Sequence, residues 1–397
     1  MDAVIIAAGK GTRMRPLTER RPKPLLPVGD TTLLERTLEQ CADVVDRFVI
    51  VVGYRADDIK GAVGDTYAGT PIEYVTQAEA LGTAHAIGQA SDLVDDRFLV
   101  LNGDVVVDDA LPRDLAAADG AAMAVQPVEN PSAYGVVETD AGRVTDLVEK
   151  PADPPSNLIN TGVYAFTPAV FEHIEATERS PRGEYEITDT IGRLLADGHA
   201  VEAVKYDGVW RDVGRPWELL DAMDIALAGL TERLAGTIEA DAHCHGAVVV
   251  EDGARVRSGA YIEGPVIVRS GADVGPNAYV RGPTVIGPDA RVGNGVEIKH
   301  SVLFAGVAVG HLSYVGDSVL GADVNFGAGT VVANLRHDDA SVRMEIKGES
   351  VDTGRRKLGV VVGDDAKTGI NTSLDAGVRL GVGATTTPGE SVLSDRL

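Results

Sequence analysis

Large aliphatic residues recur every six positions through the C-terminal part of the chain, at Val250, Val256, Ile262, Val268, Val274, Val280, Ile286, Val292, Ile298 and Phe304, with Gly, Pro, Asn and Asp between them. This is the signature of a β-solenoid, in which each coil places its large aliphatics inside and turns on small residues. The register then slips to Val309 and Val315, moves on to Leu320, Phe326 and Val332, and resumes at Val362, Thr368, Leu374 and Leu380. Residues 335–357 carry no hexad and are expected to form an inserted loop, of the length that often carries function in a compact domain. A hexapeptide-repeat domain over 246–397 follows.

The preceding residues obey another rule. Short apolar runs, "AVIIAA", "FVIVV", "IEYV" and "FLVLNGD", read as strands, and between the first two Leu33, Leu34, Thr37, Leu38 and Cys41 share one helical face. Strand–helix–strand repetition predicts a mainly parallel sheet covered by helices, an α/β Rossmann-like domain over 1–230. The helix over 216–230, with proline in its first turn, closes it, and 231–245 reads as a linker. The length of 397 residues suits two such domains.

Charge and cysteine content narrow the partners. Lys plus Arg total 36 against 60 Asp plus Glu, a formal charge of -24 that repels nucleic acid and anionic lipid. Only Cys41 and Cys244 occur, so no disulfide framework is expected and a reducing, cytoplasmic setting fits. The first apolar run is far shorter than the roughly 20 residues of a membrane span, and no export signal is expected.

The stretch "AAGKGTRMRPLTERRPKPLLPVGD" follows the first strand directly. Backbone N–H groups at Gly9 and Gly11 can hold phosphate, while Arg13 and Lys23 add the positive charge that a triphosphate in transit requires. Asp104 ends a strand in "LVLNGDVVV" and Asp212 stands in "VWRDVGRP". Two separated carboxylates suit magnesium, which takes one or two of them together with phosphate and water. Singly, each could be a cap or turn residue.

The stretch resembles the signature of the sugar-phosphate nucleotidylyltransferases, with further family motifs across 1–230. The resemblance implies in-line attack by a sugar-1-phosphate oxygen on the α-phosphorus of a nucleoside triphosphate such as UTP, with Mg2+ bridging the phosphates. It implies nucleotide contacts from Ala8, Gly9, Gly11, Thr12, Arg13, Lys23, Gln77, Gly82 and Thr83, and a sugar-phosphate pocket at Gly135, Glu149, Lys150 and Asn160. Glu149 and Lys150 could also be an ordinary exposed pair before a proline.

Within the solenoid, "GHLSYVGD" at 310–317 breaks the aliphatic pattern where the register slips. A regular coil needs neither His311 nor Tyr314. Together with "VNFGAGTVVAN", the stretch resembles the acetyltransferase half of bifunctional enzymes that make uridine diphosphate N-acetylglucosamine, and the complete chain resembles their archaeal branch. The resemblance implies a left-handed β-helix and a likeness to homotrimers with acetyl-CoA bound between neighbouring subunits. Forming an amide from an amino sugar needs a base that works near neutrality, a task that fits histidine and so His311. By resemblance Tyr314 and Asn325 hold the sugar phosphate or acyl group, Asn334 orients the amine, Arg281 and Lys299 bind phosphate, and the backbone near Ala328 meets the thioester oxygen. Arg281 and Lys299 could instead be surface charge. Where the bacterial pattern continues from asparagine into tyrosine, this chain reads Asn334 then Leu335.

Two other readings stay open from sequence. One keeps nucleotidyl transfer, to glucose-1-phosphate or a similar sugar, with the solenoid as an oligomerisation or regulatory module. The other is a non-catalytic scaffold of the same plan, against which Arg13, Lys23, Asp104 and Asp212 all speak.

Overall fold

A computed structural model describes residues 1–397 and divides them into two compact units. One unit comprises Met1–Lys10, Pro22–Leu25 and Leu33–Asp212, the other Gly11–Arg21, Leu26–Thr32 and Val213–Leu397.

The first unit is built on a ten-stranded mixed sheet. Asp2–Ile6 lies at its centre, parallel to Arg47–Val52 on one side and Phe98–Asn102 on the other. Beyond Phe98–Asn102 the sheet turns antiparallel through Leu158–Phe166, which also pairs with Ala121–Pro127. The apolar runs are continuous because both faces are covered. Val4, Val49, Val51 and Val100 enter one core, while Ala3, Ile5, Phe48, Ile50, Leu99 and Leu101 alternate into the other. The expected helix forms as Leu33–Cys41 and buries Leu33, Leu34, Thr37, Leu38 and Cys41.

The second unit is a left-handed β-helix of three parallel ladders with eight, seven and eight strands. Its interior is the stack of hexad aliphatics, from Val248 to Val392. Residues 231–245 are not a linker. Arg233–Leu234, Thr237–Ile238 and His243–His245 pair with the coil above and form the first rung. Ile238 and Cys244 keep the six-residue spacing back from Val250 and pack against the core; a cysteine stands there where the aliphatic pattern has a large hydrocarbon. The helix Glu218–Leu227 also belongs to this unit.

The slip in register has a specific origin. Ile286 pairs with Leu303, not Phe304. Leu303 therefore fills the interior, and Phe304 is buried from outside, with the Arg21 guanidinium 4.9 Å from its ring centroid. One residue has been lost at the corner. Gly282 and Pro283 separate Arg281 from Thr284, whereas His300 alone separates Lys299 from Ser301, and Asp317 alone separates Gly316 from Ser318. His300 and Asp317 take left-handed backbone, with φ of 45° and 51°.

The segment 335–357 contains a hairpin, Arg343–Ile346 with Glu349–Asp352. Its base is closed by the Leu335–Lys357 bridge and by Leu358 N–H donating to the Asn334 carbonyl at 3.0 Å. Buried Val342 and Met344 anchor it, so it is an ordered insertion with its own apolar side. No helix is long and apolar enough to cross a membrane.

Candidate functional sites

The first site forms where strands end. Asp104 precedes Val105–Val107, which pairs antiparallel with Trp210–Asp212 so that Asp212 stands opposite Val105. This pairing brings together two carboxylates more than a hundred positions apart. Lys23, only 7 % exposed, donates its ammonium to Asp104 and lies 3.9 Å from Asp212 Oδ1. A single cation is thus held between both carboxylates, the donor set that a divalent ion with phosphate and water ligands requires. Nowhere do three or more His, Cys, Asp or Glu side chains gather as a metal cluster.

In the glycine stretch, a Cβ at Gly9 would meet nothing within 4 Å, leaving its backbone open to a ligand. Ala8 is buried, and its carbonyl accepts from Tyr54 N–H at 3.2 Å. In the other unit Gly11 takes φ of 59° and starts the turn Thr12–Met14, on which Arg13 is exposed. The Thr18 hydroxyl and Met14 N–H both donate to the Gly11 carbonyl, at 2.8 and 2.9 Å.

Gly82 and Thr83 meet residues 185–187, and Gln77 packs beside Gly82. The Gln77 amide donates to the Gly82 carbonyl at 3.2 Å and lies 2.9 Å from His85 Nδ1. The Thr83 hydroxyl accepts from Ile187 N–H at 3.1 Å. A Cβ at Gly82 would stand 2.4 Å from the Tyr185 carbonyl oxygen, and φ there is 115°. Gly82→Ala is therefore expected to cost about 3 kcal/mol through strain and collision. Gly61→Ala, in the helix Ala56–Val63 with open space around it, should add up to about 1 kcal/mol. Denaturant midpoints of both variants check this, and equal midpoints would refute the close approach.

Gly135, Glu149 and Asn160 also converge. A Cβ at Gly135 would lie 3.2 Å from Glu149 Oε2 and 3.5 Å from Asn160 Cβ. Lys150, at φ 46°, pairs with Glu149 at 3.1 Å. Sequence reasoning missed Arg182, which pairs with Glu149 at 3.2 Å and Glu186 at 3.1 Å. It sits in a loop whose charges carry no spacing signal. Burial pushes the Glu186 carboxyl up, with Arg182 opposing. Tyr134 and Trp210, in edge contact at 5.5 Å, were missed as well, and Trp210 donates to the Thr161 carbonyl at 2.9 Å.

In the β-helix the expected residues divide between two corners. At one, His311 is exposed and its Nδ1 accepts from Asn294 N–H at 3.2 Å. Its carbonyl accepts from Gly329 N–H at 2.8 Å, and a Cβ at Gly310 would stand 2.9 Å from Ala328 N, so His311 and Ala328 occupy adjacent rungs of that corner. Asn325 precedes the corner on one ladder and Tyr314 follows it on another. These two side chains lie on different faces and do not converge within the chain. At the other corner, Arg281 and Lys299 are register neighbours on one ladder. Arg281 pairs with Glu297, Lys299 with Asp317 at 2.9 Å, and Asn334 donates to the Tyr314 hydroxyl at 3.1 Å and to Asp317 at 2.5 Å. Burial pushes the Tyr314 hydroxyl up, with Asp317 and Glu297 adding to it.

Known proteins match both halves. The nucleotidyl transferase family model covers residues 2–228, and that of the GMPPB C-terminal domain covers 262–369. The Bifunctional protein GlmU of Methanocaldococcus jannaschii is 44 % identical over all of this chain and 95 % of its own. A bifunctional sugar-1-phosphate nucleotidylyltransferase/acetyltransferase of Sulfurisphaera tokodaii is 38 % identical over all of this chain and 98 % of its own. Among solved structures, a UDP-glucose pyrophosphorylase complexed with UDP-glucose matches at 25 % identity and TM-score 0.52, over 57 % of this chain and 98 % of that one. With a strand-end carboxylate pair in a nucleotidyl transferase domain and a β-helix later in the sequence, the chain belongs to the two-domain, bifunctional sugar-1-phosphate nucleotidylyltransferase/acetyltransferase family.

Proposed function

We propose that the chain makes uridine diphosphate N-acetylglucosamine in two steps: acetyl transfer from acetyl-CoA to glucosamine-1-phosphate, then uridylyl transfer from UTP to N-acetylglucosamine-1-phosphate with release of pyrophosphate. The observation that carries this reading is Lys23 held between Asp104 and Asp212. Asp104 and Asp212 would hold Mg2+, which supplies charge neutralisation on the triphosphate when bound. Lys23 offsets charge that develops on the phosphates, and open backbone at Gly9 receives them. Gln77, fixed against Gly82, faces the base, while Gly135, Glu149, Lys150 and Asn160 receive the sugar phosphate.

In acetyl transfer the amine nitrogen bonds to the thioester carbonyl carbon, the carbon–sulfur bond breaks, coenzyme A leaves as the thiol, and His311 takes the amine proton. Because Nδ1 accepts from Asn294, the neutral ring carries its proton on Nε2. The base role therefore requires that the Asn294 contact at Nδ1 be given up, and Gly293 lines the space beside Nδ1. The separation of Asn325 from Tyr314 supports a site shared between neighbouring subunits of a homotrimer. Two unpaired cysteines suit the cytoplasm.

A matrix of UTP and dTTP against four sugar-1-phosphates, with and without magnesium, tests the reading. UTP with N-acetylglucosamine-1-phosphate is expected to lead, and chelation to cut turnover about 100-fold or more. If dTTP with glucose-1-phosphate leads, the substrate assignment is wrong, and full activity in chelator removes the two-aspartate metal site.

A further inference from the structure

At the corner where the coil is one residue short, four charged side chains are locked together. His300 is flanked on both sides: its Nδ1 lies 2.8 Å from Asp317 Oδ1 and its Nε2 lies 2.8 Å from Asp224 Oδ1, on the helix Glu218–Leu227. The other oxygen of Asp317 accepts from Lys299 at 2.9 Å and from Asn334 at 2.5 Å. Asp317 is 3 % exposed, so its charge depends on these donors. One turn back on the same helix, Asp221 pairs with Arg355 from the inserted hairpin segment.

We propose that Asp317 is a positioning residue for acetyl transfer, fixing Lys299 and the amide of Asn334 for the amino sugar phosphate, and that His300 and Asp224 brace it from the helix. This rests on the acetyl-transfer reading above. Both N–H groups of Asn334 are used, one on Tyr314 and one on Asp317. What Asn334 then offers a ligand is its carbonyl oxygen, an acceptor suited to an ammonium or amine. The Tyr314 hydroxyl can either accept or donate, so the acceptor-only carboxylate of Asp317 decides which way that amide faces. The Lys299 ammonium, tied at 2.9 Å, is likewise kept from wandering on its flexible stem.

The brace titrates. Burial alone would push His300 down, but the hydrogen bonds to Asp224 and Asp317 win and hold it at about 8, above its ordinary 6.5. Burial would raise Asp317, but His300 and Lys299 bring it down to about 2. The groups facing His300 are Asp224 from the helix and Asp317 from the next rung, with Lys299 beside Asp317 and the Asp221–Arg355 pair further along the helix. A histidine whose folded value is raised contributes fully below 6.5 and loses its contribution as pH rises through about 8. Neutral His300 carries one N–H and can donate to only one of its two carboxylates.

Acetyl transfer and uridylyl transfer are measured on the same full-length samples, with glucosamine-1-phosphate varied from pH 6 to 9.5. Asp317→Asn is expected to raise the acetyl-transfer KM for glucosamine-1-phosphate about tenfold, with uridylyl transfer unchanged as the sign of a folded chain. In the wild type that KM should climb above pH 8. Asp224→Asn, on a half-exposed helix position where folding is least at risk, should start the climb about one pH unit lower. An unchanged KM in Asp317→Asn, or pH profiles of Asp224→Asn and wild type that superpose, overturns the proposal while leaving the acetyl-transfer reading intact. A wild type that does not acetylate at all overturns both. If Asp317→Asn fails to fold, the Asp224→Asn profile alone decides.

Discussion

Lys23→Ala is expected to lower uridylyl transfer about 100- to 1,000-fold, the usual effect of losing one preorganised positive donor at a site of developing charge. The same change should alter stability in a way that depends on magnesium. Lys23 is nearly buried and satisfies Asp104 while standing 3.9 Å from Asp212. Its loss leaves the Asp104 carboxylate without the ammonium that donates to it, at a cost of about 2 kcal/mol. A divalent ion bound by the carboxylates can replace that charge but not the role of an ammonium that donates N–H to the phosphate. Thermal melting of Lys23→Ala should thus fall below the wild type in chelator and recover when magnesium is added, whereas turnover stays low. Asp104→Asn should show the reverse pattern, with little gain in melting temperature from magnesium. A Lys23→Ala protein that melts identically with and without the ion would remove the charge-compensating role, and one that keeps wild-type turnover would remove the catalytic one.

Much of this was readable from residue order, for reasons that differ between the two units. In the first unit, strand ends and glycine loops mark where ligands bind in a parallel sheet, so residue order alone marks Asp104 and Lys23. That Asp212 lies beside Asp104 depends on an antiparallel pairing over a long separation, which local pattern does not encode. Arg182 and Trp210 reach Glu149 and the Thr161 carbonyl by the same long-range folding. In the β-helix the interior positions were legible because each coil repeats one environment. The errors came where the template was too narrow. Cys244 continues the hexad into the supposed linker 231–245, and Phe304 matches the spacing while Leu303 does the inward packing. The slip itself was visible, but its cause was not: a corner shortened by one residue shows in sequence only as a shifted count. Asp317 closes the same "GHLSYVGD" stretch that drew attention to His311 and Tyr314. Its role appears only when Lys299, His300 and Asn334, from different rungs, are seen on one carboxylate.

His311→Ala is expected to cut acetyl transfer about 100- to 10,000-fold, the range for removing a general base, and to leave uridylyl transfer unchanged. The separation of effects follows from how little the ring contributes to the coil. His311 is exposed, its backbone carbonyl carries the ladder bond to Gly329, and its ring accepts one hydrogen bond, from Asn294 N–H. Because that N–H is itself exposed, water can replace the ring, and the loss of stability should stay below about 1 kcal/mol. The drop should fall on kcat with the KM for glucosamine-1-phosphate little changed, since a base acts on the proton in transit and not on the ground-state phosphate. This is the opposite of the KM effect expected at Asp317, so the two corners can be told apart by kinetics alone. A His311→Ala protein that acetylates at the wild-type rate would move the base elsewhere, and one that loses both activities together would mean that the corner supports the fold more than its single ring hydrogen bond implies.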